Sequence, residues 1–296
     1  MIDDLVASFS LDAGPVRGRV VRLGAAVDAI LRRHDYPAPV AMLLGEALTL
    51  AALVGSLLKV EGKLSVQAQG DGAVRLLVAE YRSDGGLRGY ARLADGASEM
   101  LTRDRRLPPA ALLRNGRLVL TLDQGDDAPP HQGVVALQGD TLAVCAENYF
   151  RVSEQTETRI RLAVGEAHGP KGPPVWRAGG MLLQRIAGDA ARGDTEEDWS
   201  RATILFQTVG DDELIDPGLP ADRLLYRLFH EEGARMGVPA ALADRCTCNA
   251  ERLTSLMRTF SAEEVADLVE PDGMLHARCQ FCAREYLIAP ESLPGV

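Results

Sequence analysis

Four of the five cysteines in this 296-residue sequence stand in two close pairs near its end. They are Cys246-Thr247-Cys248 and Cys279-Gln280-Phe281-Cys282, separated by a few tens of residues. That spacing suits a four-thiolate zinc site. Each pair lies on a tight turn, both sulfurs of a pair can face one ion, and the segment between brings the second pair back to the first. Cys246, Cys248, Cys279 and Cys282 are therefore the candidate ligands of one zinc ion. Three other readings stand beside a redox-sensitive site: structural disulfides, a purely structural zinc ribbon and a catalytic zinc. Permanent disulfides are unusual in a cytosolic chain, and four sulfurs leave no open position for catalysis. The Cys-x-Cys pair is less usual in structural sites than Cys-x-x-Cys. A bridge between its two residues would close a small, strained ring, and strained disulfides are the labile, regulatory kind. Zinc-held sulfurs are thiolates, the form that oxidants attack. Arg245, Arg278 and Arg284 flank the pairs and offset the net negative charge of zinc with four thiolates.

The segment between the pairs has the pattern to position them. Leu253, Leu256, Met257 and Phe260 fall at i, i+3, i+4 and i+7, which predicts one apolar helix face. Ser261 and Glu264 form a capping box for a second helix, Ala262 to Glu270, ended by Pro271-Asp272-Gly273. Met274 to Ile288 reads as a hairpin whose turn is the second cysteine pair. His276 lies close enough in sequence to stand in for a cysteine ligand. A lobe this small buries too little surface to be comfortably stable alone. A structural zinc supplies roughly 10–16 kcal/mol of apparent binding energy in small finger peptides, and whole domains are stable by only about 5–15 kcal/mol. The ion would thus decide whether the lobe folds.

Upstream, Gly18 to Arg33 reads as a helix with Val20, Leu23, Ala26, Val27 and Ile30 on one face, broken by His34-Asp35-Tyr36-Pro37. The Ala/Leu-rich stretch to Leu58 reads as a second helix. Its core, Val40 to Leu58, is nearly long enough to span a bilayer, but it carries Glu46, Thr49, Ser56 and two glycines, so a buried core helix is expected and no membrane. Alternation then predicts strands at Leu64–Gln69 and Val74–Val78 around a Gly70-Asp71-Gly72 turn, with further strands at Leu118–Leu122, Gly133–Leu137 and Arg159–Val164. Gly179-Gly180 reads as a turn. Gly188 to Asp198 is small, polar and acidic, and reads as a mobile linker. Leu219 to Glu232 is helical again, with Leu224, Leu225, Leu228 and Phe229 on one side. The expected fold is α+β: an N-terminal mostly antiparallel sheet with packed helices over 1–184, a partly helical linker over 185–240, and a small zinc-binding lobe over 241–296.

Charge and the remaining motifs exclude other classes. With 32 Lys+Arg against 42 Asp+Glu the net charge is −10, which repels nucleic acid and anionic membrane. The start, MIDDLVASFS, has no positive region before an apolar stretch and no cleavage site, so a cytoplasmic protein is expected. Cys145, among Leu142, Ala143, Val144 and Ala146, reads as a small buried hydrophobe. His34-Asp35 belongs to a helix-ending turn, and His230-Glu231-Glu232 to a solvated helix end. No set of nucleophile, base and orienting group is present and no phosphate-binding loop, so no catalytic residue, no nucleotide cofactor and no enzyme is expected.

With these features in order, the sequence resembles the heat shock protein 33 family of redox-regulated bacterial chaperonins over nearly its whole length. The resemblance is carried by His34-Asp35-Tyr36-Pro37, Val66 to Gly72, Gly133 to Ala143, Tyr149-Phe150, Ser153-Glu154-Gln155, Gly179 to Gln184, Leu228 to Glu232 and the two cysteine pairs. It implies an ATP-independent holdase whose reduced, zinc-bound form is inactive. In that family oxidation pairs the cysteines, here Cys246 with Cys248 and Cys279 with Cys282. Zinc leaves, the lobe and linker unfold, and a homodimer binds unfolding client proteins. The competing reading is a zinc-ribbon binding module without a switch.

Overall fold

The computed structural model describes residues 3–58, 61–101, 106–125, 129–137, 139–169, 172–186, 195–257 and 260–293. Two compact units emerge, Met1–Asp244 and Arg245–Val296. The N-terminal unit opens with strands β1 (Leu5–Leu11) and β2 (Val16–Leu23), helices α1 (Ala25–Arg32) and α2 (Ala38–Gly55), and strands β3 (Lys63–Gln69), β4 (Val74–Arg82) and β5 (Gly86–Leu93). Short helices α3 (Ala97–Met100) and α4 (Pro109–Leu113) precede β6 (Arg117–Asp123), β7 (His131–Ala136), α5 (Leu142–Val152), β8 (Thr158–Ala167) and β9 (Val175–Arg185). Three helices follow, α6 (Glu196–Gln207), α7 (Asp211–Ile215) and α8 (Ala221–Phe229), then short strands β10 (Ala234–Met236), β11 (Ala240–Ala241) and β12 (Ala243–Asp244). The C-terminal unit holds α9 (Ala250–Met257), α10 (Ala262–Asp267), β13 (Leu275–Arg278), β14 (Glu285–Ile288) and a 3-10 turn at Pro290–Ser292.

The expected α+β class stands, with the strands arranged in two large sheets. One runs β10-β1-β2-β9-β8, with β11 also on β1, and the other runs β12-β5-β4-β3-β6-β7. Every pairing in them is antiparallel except β12 on β5. Helix α2 packs against β3, β4 and β5 of one sheet and β2, β8 and β9 of the other. Its apolar side chains from Val40 to Val54 are nearly all buried, which explains an apolar stretch of membrane-spanning length as a core helix. Glu46 is buried within it and pairs with Arg106.

Two readings are corrected. Val16–Leu23 is a strand, not the start of a helix. From Val16 to Arg22 it is paired on both sides, by β1 and β9, so its faces enter different cores: Val16 and Val20 in one, Val21 and Leu23 in the other. A strand buried on both faces loses the alternation that betrays strands in sequence. Gly179 and Gly180 lie inside β9, not in a turn. A Cβ on Gly179 would stand 2.0 Å from the Leu214 carbonyl oxygen, so the glycine is there for close backbone approach.

The second core lies on the far face of the first sheet. Leu5, Ala7, Phe9, Val20, Met181 and Leu183 meet Trp199 and Phe206 of α6, Leu214 of α7, and Leu224, Leu228 and Phe229 of α8. Of the segment read as a mobile linker, 188–194 lies outside the described residues, and Glu196 to Asp198 open α6.

Candidate metal centre

The C-terminal unit is built outward from a hairpin. β13 and β14 pair from Leu275 opposite Ile288 to Arg278 opposite Glu285. The turn between them carries Cys279 and Cys282, as the sequence pattern predicts. The Cys279 N–H donates to the Arg284 carbonyl at 2.9 Å and the Ala283 N–H to the Cys279 carbonyl at 2.8 Å, with Ala283 in the left-handed region at φ 55°. Cys246 and Cys248 lie in an irregular stretch that ends at α9. Asn249, one residue beyond Cys248, accepts from the Arg252 N–H at 2.8 Å, and this cap fixes where the helix starts, at Ala250. Ser261 and Glu264 cap α10 reciprocally, as expected.

These elements bring all four sulfurs within 4.8 Å of one another. Two separations run across the pairs, Cys246 to Cys279 at 3.8 Å and Cys248 to Cys282 at 3.2 Å. All four cysteines are half-buried, and together they can hold a metal ion. His276 is not in the cluster. Its Nε2 lies 2.8 Å from Asp272, which raises the imidazole pKa.

Tyr286 is the functional residue that the sequence reading missed. Its hydroxyl lies 3.1 Å from Cys248 Sγ and 3.2 Å from the Cys248 carbonyl, so β14 holds the first cysteine pair against the second. Its signal was its place in the hairpin, opposite Ala277, with a donor on an otherwise apolar ring. Burial opposes ionisation of Cys248, but hydrogen bonds from Tyr286 and the three neighbouring thiols outweigh it and bring its pKa down to about 7. Burial pushes Cys282 up, to about 12, helped by Cys248, Cys279 and Cys246. Ionisation is thus eased at Cys248 and costly at Cys282. A divalent cation would remove that cost and let all four ionise. Arg284 is raised by its hydrogen bond to Tyr286 and by Cys282 and Cys248.

The apolar support is thin. Val265, Leu275, Ile288 and Leu293 are buried, with Leu253, Met257, Val269 and Ala277 packed partly against them. Phe260 lies beyond α9 and is 40% exposed, so it is not on the predicted helix face. The Leu256 side chain lies outside the described residues.

Elsewhere the tempting residues are structural. Cys145 is buried on α5, and burial pushes its thiol pKa up. Asp35, at φ 46°, turns the chain between α1 and α2. The helix end at 230–232 is only partly solvated. His230 and Glu231 face water, whereas Glu232 is buried and receives Arg201 at 2.7 Å.

The Hsp33 protein family pattern matches residues 4–289. The 33 kDa chaperonin of Caulobacter vibrioides (strain NA1000 / CB15N) is 53% identical over 292 residues, covering 98% of this chain and 96% of its own. That of Serratia proteamaculans (strain 568) is 38% identical over 272 residues, covering 92% and 87%. The crystal structure of the 33 kDa chaperonin from Thermotoga maritima superposes with a TM-score of 0.79 over 98% of this chain and 96% of that one. At 23% identity it shows a shared fold. The chain belongs to the Hsp33 family, a family of chaperonins and not of enzymes.

Proposed function

We propose that this protein is a redox-regulated, ATP-independent holdase of the cytoplasm. Its reduced form holds one zinc ion on Cys246, Cys248, Cys279 and Cys282 and is inactive. The observation that carries the reading is the meeting of four sulfurs in a unit with so small an apolar core. Zinc–sulfur bonds of about 2.3 Å set tetrahedral edges of about 3.8 Å, and the Cys246–Cys279 separation of 3.8 Å matches.

Peroxide is one oxidant that would throw the switch. A thiolate reduces it to water and becomes a sulfenic acid. The second thiol of the pair then displaces a second water to form the disulfide. Each pair gives two electrons to one peroxide. Cys246–Cys248 and Cys279–Cys282 disulfides are poor zinc ligands, so the binding energy that folds the lobe is withdrawn. The chain then loosens upstream. Strands β10 to β12, only two or three residues each, are all that lies between α8 and Cys246. Lifting α6 to α8 bares the apolar face of Leu5, Phe9, Val20, Met181 and Leu183, a surface fit for unfolding client proteins. The oxidised protein acts as a homodimer. Neither nucleic acid nor membrane is a partner.

Light scattering from a heat-unfolding client tests this. Suppression by peroxide-treated protein but not by reduced, zinc-loaded protein is expected. Equal suppression by both forms, or none by either, overturns the switch.

A further inference from the structure

The far face of the first sheet is not uniformly apolar. Arg22 on β2 and Arg177 on the neighbouring β9 are both buried, 1% and 6% exposed. Neither is neutralised by a carboxylate of its own. Arg177 reaches Asp3, and among the described residues Arg22 Nε has no hydrogen-bond partner, its nearest carboxylate oxygen there being that of the same Asp3 at 3.9 Å. Three other donors of the two guanidiniums reach backbone carbonyls. Arg22 Nη1 donates to the Glu213 carbonyl at 3.1 Å and Nη2 to the Asp216 carbonyl, while Arg177 Nε donates to the Ile215 carbonyl at 2.6 Å. The fourth carbonyl of this turn, on Leu214, lies over Gly179, where a Cβ would stand 2.0 Å from its oxygen. The Leu214 side chain is buried beside them and a Cβ on Gly165 would meet Ile215 at 3.0 Å.

The arrangement is therefore a cradle for the end of a helix. The last carbonyls of any helix lack partners within it. Here two guanidiniums and a side-chain-free patch of strand supply donors and room for those of α7. Almost nothing in the contact depends on the identity of the segment seated there. It needs free carbonyls, which every helix end presents, and one or two apolar side chains.

We propose that this cradle, once α7 has left it, binds the C-terminal turn of an amphipathic helix in a client protein, with Arg22 and Arg177 holding its free carbonyls. The proposal deepens the chaperone reading and rests on it, since the cradle must first be vacated. It gives the exposed face a polar recognition element to add to its apolar one. A planar guanidinium fork can hold two carbonyls at once, which an ammonium cannot do equally well.

The probe is a fluorescent peptide of residues 205–219 of this chain (LFQTVGDDELIDPGL), titrated into the full-length peroxide-treated protein. Uptake of bis-ANS is measured in parallel. The wild-type protein should bind the peptide, and a scrambled peptide should bind poorly. R177K should weaken binding about tenfold, the effect of losing one charge-assisted hydrogen bond. G179A should weaken it comparably, since the added methyl obstructs the seated turn and not the sheet. Neither variant should change bis-ANS uptake. Peptide binding as tight in both variants as in the wild type overturns the proposal. So does a wild type that takes up bis-ANS but not the peptide. A peroxide-treated wild type that neither takes up bis-ANS nor suppresses aggregation overturns the chaperone reading itself, and the cradle with it.

Discussion

The two units are held together in opposite ways. In the N-terminal unit α2 lies between two six-stranded sheets, and its apolar side chains from Val40 to Val54 are shared with both. In the C-terminal unit, among the described residues, only Val265, Leu275, Ile288 and Leu293 form a buried apolar core, and the hairpin is joined to the first cysteine pair through sulfurs and Tyr286. Packing spreads stability over many side chains, none of which decides the fold alone. A thiol cluster concentrates it in four atoms that a small oxidant can reach.

The comparison breaks most sharply at the sulfurs. C246S should remove one ligand and with it the fold of the C-terminal unit, as a strong chelator should in the wild type. Hydrogen exchange is expected to lose protection across β13, β14, α9 and α10 while α2 and the central strands β2, β3, β4 and β9 keep theirs. Full protection of the hairpin in C246S would mean that apolar packing suffices there. The converse experiment is L48A, in the middle of α2 and fully buried. Truncation of a buried leucine costs about 2–5 kcal/mol, so denaturant melts of the N-terminal unit should shift by that order. Bound zinc, assayed by chelator release, should stay unchanged. A parallel fall in metal content would show that the two units do not depend on separate interactions.

How much of this was legible in the sequence follows from the range of the interactions. The four cysteines, the β13–β14 hairpin and the Ser261–Glu264 cap could be read because each rests on neighbours in the chain. Strand β2 could not. Its helical spacing from Val20 through Val27 arises by continuing across a strand into α1, and what makes it a strand is pairing with β9, more than 150 residues on in the chain. Gly179-Gly180 looked like a turn because the carbonyl that demands a bare strand at Gly179 comes from Leu214. Tyr286 was hidden for the same reason, since its partner, Cys248, is 38 residues away. Arg22 and Arg177 are the extreme case. Nothing local marks an arginine as buried when its acceptors are carbonyls 191, 194 and 38 residues distant.

The smallest expected effect sharpens the comparison from the side of the packed unit, because that unit is not held by packing alone. Glu46 sits in α2 with its carboxylate 7% exposed, paired to Arg106, which also reaches Asp211 at 3.5 Å, while Arg161 meets Asp211 at 3.3 Å. Burial pushes the Glu46 pKa up, and Arg106 only partly opposes it. A carboxyl whose folded pKa lies above its unfolded value binds more protons when folded. Its contribution to stability is full below the unfolded pKa and is lost as pH rises through the folded one. E46Q has no such titration, so its stability relative to wild type should rise as pH is raised from about 4.3 through the folded pKa. Urea melts of both proteins at a series of pH values read that difference directly. A difference that stays constant with pH would mean that Arg106 fully compensates the burial, and that the carboxylate is as much at home between the sheets as the leucines around it.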